Sequence, residues 1–176
     1  MNPQLKNVQT AFDKVKEISE RRKKLEAEQQ ELQAKIATLT AAVASGDTRS
    51  VNALAVAKAR SESALPAELS AVQRDYDRAI CALRDTLPPL SPMVAKAYGK
   101  ERERMAAVAG EFLSGYLEDA YLVEVLTRQI TENSKTVRAL DFLNTRFSSG
   151  HITQPVGAAA VISRANNALA GLANVP

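Results

Sequence analysis

Few of the 176 residues are of the types that carry out chemistry, and their spacing restricts what they can do. The chain has one Cys, Cys81, and one His, His151. A nucleophilic thiol needs a partner base, and His151, in the turn around Gly150, is the sole imidazole that could serve Cys81. Cys81 stands beside Ile80 and Leu83 in a helical pattern, so the expectation is a small buried apolar side chain. The acidic pairs Asp75/Asp77, Glu101/Glu103 and Glu118/Asp119 are one or two residues apart. Such neighbours do not share a helix face, and Arg74 and Arg78 are placed to pair with the first of them. One His cannot supply the paired Glu-x-x-His motifs of a di-iron bundle, and one Cys excludes both a disulfide framework and a cysteine zinc site. Phosphate-cradling glycine loops and a G-x-S-x-G elbow are absent from the sequence. No catalytic residue, metal ligand, cofactor or small-molecule substrate is therefore expected, and the chain reads as a non-enzyme.

The basic run Arg21, Arg22, Lys23, Lys24 is the one candidate contact for a polyanion. Glu17, Glu20, Glu26 and Glu28 flank it at helix-neighbour steps, which favours a solvated face of internal ion pairs. Aromatic residues interleaved for base stacking are missing there. The formal charge of +3 is small, and charges cancel locally: residues 1–44 carry 8 basic and 6 acidic groups, 45–87 carry 6 and 6, and 88–150 carry 8 and 8. Without a one-signed block, nucleic-acid binding through Arg21–Lys24 and the Lys96–Arg104 region is an alternative rather than the leading reading.

The elements that carry these residues are helical. Hydrophobic residues make up 45% of the chain, Ala, Leu and Val dominate them, and Gly and Pro number 7 each, too few for the turns of an all-β fold. Setting Val8, Val15, Arg22, Gln29, Ile36 and Val43 at heptad position a places Ala11, Ile18, Leu25, Leu32 and Leu39 at d. Five heptads without an interrupting Gly or Pro predict one helix over about residues 4–45, with a coiled-coil-like seam. Arg22 and Gln29 in that seam either specify register and partner number or reach out to solvent; Asn133 and Asn144 later in the chain invite the same two readings. Gly46 suits a left-handed position and Asp47 an N-cap, so a turn near 45–48 and a return helix to about 87 predict an antiparallel hairpin. Pro66 either kinks the return helix or lies in the first turn of a new one capped by Ser63, a break near 63–66.

Pro88–Pro92 forms a linker from which Ser91 can cap the next helix. Over 93–150 a three-four stripe runs through Tyr98, Arg102, Met105, Ala109, Phe112, Tyr116, Asp119, Val123, Leu126, Ile130, Asn133, Val137, Leu140, Asn144 and Phe147, predicting one long helix, or two with a break near 110–115. Between Phe112 and Leu126 the residues Leu113, Leu117, Tyr121, Leu122 and Val125 add apolar groups on other faces, which predicts that this segment sits at the centre of the packed part. The tail 151–176 holds one charge, Arg164, and reads as an Ala-rich helix over about 155–172.

The expected architecture is all-α: an elongated antiparallel helical hairpin, coiled-coil-like, followed by a helical C-terminal region. The expected role is a structural or assembly protein that self-associates or docks into a larger complex, such as a virion or a secretion-type machine. Association would use the seam (Ile18, Arg22, Leu25, Gln29, Leu32, Ile36, Leu39) and the tail (Val161, Ile162, Leu169, Leu172). A helical adaptor or chaperone gripping a protein client is the further alternative. No stretch is apolar for long enough to span a bilayer, and MNPQLKNVQ lacks the apolar core of a signal peptide. The expected compartment is the cytoplasm, or a particle assembled there.

Overall fold

A computed structural model of the chain describes residues 2–148 and 157–172. The described residues are helical throughout, without a strand: α1 (Pro3–Ala44), α2 (Ser50–Ala59), α3 (Leu65–Asp85), α4 (Ser91–Ser114), α5 (Ala120–Asn133), α6 (Lys135–Ser148) and α7 (Ala158–Leu172). They form two compact units, Asp13–Cys81 on the one hand and the residues up to Phe12 with those from Ala82 on the other.

The first unit is a helical hairpin. From Pro3, in its first turn, α1 runs 42 residues to Ala44, as expected of a segment with no helix breaker inside it. It ends where Gly46 takes φ +97°, a conformation that costs glycine little and other residues more. Asp47 closes the turn, its carboxylate accepting from Arg49 N–H at 3.0 Å and from the Ser50 hydroxyl at 2.6 Å. The return limb is not cut at Pro66. Arg60–Ala64 form a π-helical turn between α2 and α3, and Leu65 N–H donates to the Arg60 carbonyl five residues back. Widening the turn makes room for a proline ring that would otherwise press on the carbonyl four residues before it. Ser63 therefore sits inside a continuous helical path rather than at the head of a new helix.

In the second unit, Pro88–Leu90 make a 3-10 turn and Leu90, not Ser91, is the N-cap of α4. The Ser91 hydroxyl instead donates to the Phe147 carbonyl at 3.4 Å, joining the start of α4 to the end of α6. The stretch expected as one or two helices is three. Gly110 stays within α4, and the first break falls after Ser114. Asp119 then caps α5, accepting from Tyr121 N–H at 2.9 Å and Leu122 N–H at 3.2 Å. The second break is the single residue Ser134, whose ψ of 128° leaves the helical region. No Gly or Pro announces it, and the three-four stripe runs past it through Ile130, Asn133 and Val137, so periodicity passes over the break.

Gly110 lies beside Thr127, and Ser91 beside Phe147, so α5 and α6 both run antiparallel to α4 and cover successive lengths of it. On α6, Val137, Leu140, Leu143 and Phe147 are buried at three- and four-residue steps. Helix α7 buries Val161, Ala165, Ala168 and Leu172, and Gly171 approaches Leu143 so closely that a Cβ there would stand 2.5 Å from its Cδ1. Gly171 of the nearly uncharged tail allows this approach. Cys81, expected to be buried, is exposed.

Candidate association surface

The seam residues Ile18, Leu25, Leu32, Ile36 and Leu39 are each half-buried within the hairpin unit. Arg22 and Gln29, in phase with them, line a groove of about 480 Å³ together with Leu69, Ser70, Gln73 and Arg74 of α3, so the seam turns toward the return limb. Arg22 does not reach for solvent alone; its Nε donates to Glu26 at 2.7 Å. Arg60 of the π-helical turn bridges the limbs, donating to Glu28 of α1 at 2.9 Å and to Glu68 of α3. The guanidinium holds the Glu68 carboxyl below the usual carboxylate range, and Arg60 itself is shifted upward by the two carboxylates.

In the basic run, Lys23 donates to Glu20 at 2.8 Å, which raises the pKa of the ammonium and lowers that of the carboxyl. Arg21 and Lys24 are exposed, with Arg21 close enough to Glu68 to act on its charge. Of the tail residues, Val161 and Leu172 are buried, and Ile162 and Leu169 half-buried. His151 lies outside the described residues. Asn133 is exposed and Asn144 half-buried. Among the described residues no three His, Cys, Asp or Glu side chains gather as a metal site would require, and no helix is long and apolar enough to cross a membrane.

The segment expected at the centre of the packing is instead the most open apolar surface of its unit. Val108 is 52% exposed, Phe112 62%, Tyr116 78%, Leu122 41% and Ile130 42%. Val94 and Phe112 are 18 residues apart, five turns of helix, and lie on one line of α4. Val94 is fully buried where α6 lies alongside; Phe112 is open where α5 has replaced α6. Phe112 and Tyr116 pack on each other, ring centroids 5.1 Å apart at 44°. On α5, Leu122, half-buried Leu126 and Ile130 repeat at four-residue steps. Each stripe is displaced by about a quarter turn, in the same helical sense, from the line where α4 and α5 meet. In an antiparallel pair that sets both stripes on one flank. Tyr121, 76% exposed, projects from the opposite flank.

The sequence signal for this surface was present and open to two readings. A segment apolar on several faces is surrounded by protein, but that protein need not be its own chain. No protein-family model, curated protein or solved structure matches the chain.

Proposed function

We propose that this chain is a non-enzymatic structural or assembly protein that self-associates or docks into a larger complex, using the open flank of α4 and α5. The observation that supports this reading is the run of exposed large apolar side chains at the end of α4 and along α5: Val108, Phe112, Tyr116, Leu122 and Ile130. Large side chains left in water along a continuous stripe mark a surface that is covered in use. A component of a virion or a secretion-type machine fits that role. The tail residues Val161 and Leu172 support it indirectly, being buried in the unit that carries the open flank.

Sedimentation of the full chain across nanomolar to micromolar concentrations tests the reading. The expected result is a mass above that of one chain at micromolar concentration, reversed on dilution. A clean single-chain mass at all concentrations, with full helicity and no stoichiometric protein co-purifying, refutes it. Co-purification of one stoichiometric client would point to the adaptor reading. Affinity for nucleic acid falling steeply with salt would point to the basic run.

A further inference from the structure

We infer that the occupant of the α4–α5 flank is a second copy of this chain, paired about a two-fold axis with the flanks antiparallel. The inference rests on the self-association reading above and specifies its partner and geometry. Area is the first argument. With aromatic side chains presenting on the order of 200 Å² and aliphatic ones about 150 Å², the exposed fractions of Val108, Phe112, Tyr116, Leu122 and Ile130 amount to roughly 500 Å² per copy, or about 1,000 Å² across a symmetric pair, the lower bound for a biological interface and the size of a weak, reversible one.

Charge is the second argument. The two stripes carry no ionisable group other than the Tyr116 phenol, so they can face their own copy without like-charge repulsion. Their ends differ. At the α4–α5 turn stand Glu118 and Asp119, both exposed; beyond Ile130 stand Glu132, Lys135 and Arg138, also exposed, an end that is basic by one charge. A two-fold axis through the middle of the flank brings the acidic end of each copy to the basic end of the other. A parallel arrangement would set acid against acid and base against base. The surface thus has the self-complementary polarity of an isologous interface.

The test uses two double variants of the full chain. Lys135→Glu with Arg138→Glu makes both ends acidic. Glu118→Lys with Asp119→Asn makes both ends basic in balance while keeping a side chain that caps α5. Circular dichroism checks that each remains helical. The expected result is that each variant alone associates about ten-fold more weakly than the natural chain, and that an equimolar mixture recovers association between unlike copies. The natural chain should also dissociate more readily as salt rises, a measurement that needs no variant. Association that ignores both double variants, shows no recovery on mixing and does not respond to salt overturns the two-fold pairing while leaving self-association standing. A natural chain that stays single at all concentrations overturns both.

Discussion

Phe112→Ala separates a residue that builds the fold from one that recruits a partner. Phe112 is 62% exposed; on a side chain of roughly 200 Å², about 125 Å² is free and about 75 Å² covered. At about 25 cal/mol per Å² the covered part is worth about 2 kcal/mol to folding. Alanine keeps the Cβ and is the better helix former by about 0.5 kcal/mol, so the net folding cost is about 1 kcal/mol. Association draws on the free part, and a symmetric pair contains it twice. Complete coverage of both copies would contribute about 6 kcal/mol, and coverage of half that area about 3 kcal/mol, a rise in Kd on the order of a hundredfold. Sedimentation equilibrium gives the Kd, and urea unfolding at dilutions where the chain is single gives the folding term. The comparison is Leu140→Ala on α6, 1% exposed, for which about 2–5 kcal/mol of folding stability should be lost. If Phe112→Ala destabilises the fold as much as Leu140→Ala and leaves Kd within threefold, the flank belongs to the fold and the reasoning fails.

Further outcomes follow from single contacts. Gly171→Leu should destabilise the second unit by about 1–3 kcal/mol, since even a Cβ meets the Leu143 Cδ1 at 2.5 Å and that side chain must shift; a shortened Leu143→Ala partner should restore part of the loss in a thermal melt. Gly46→Ala should cost about 1 kcal/mol, read by urea unfolding, because φ +97° is unfavourable once a Cβ is present. Arg60→Met removes the pairing across the hairpin to Glu28 and the pairing along the return limb to Glu68, and should lower the melting midpoint of the hairpin unit more than Arg78→Met, whose one ion pair, to Asp75 at 3.5 Å, lies within α3. The Glu68 carboxyl is held down by Arg60 in the folded state, so its pairing contributes fully above the unfolded carboxylate pKa and is lost as pH falls through the folded value. Melting followed from pH 7 to pH 3 should therefore fall less in Glu68→Gln than in the natural chain, and an equal fall in both would rule the contribution out.

Much of the architecture followed from local chemistry alone. Forty-two residues without an internal breaker, beginning at Pro3, can hardly be other than helix, and Gly46 with Asp47 marks the turn because few other residues tolerate its backbone. The Asp119 cap and the clean stripe Val137, Leu140, Leu143, Phe147 are equally local in origin. Tertiary structure decided what those rules leave open. Pro66 could end a helix or be absorbed, and a π-helical turn spanned by the Arg60 bridge absorbs it. Ser134 breaks a helix that periodicity alone would continue, and α5 and α6 then each pack against α4 as separate helices. That packing also settles which apolar residues are inside. Val94 and Phe112 are indistinguishable by helical phase, and hydrophobicity records only that each is driven from water. Whether the covering surface comes from α6 or from another molecule is set by where α6 begins.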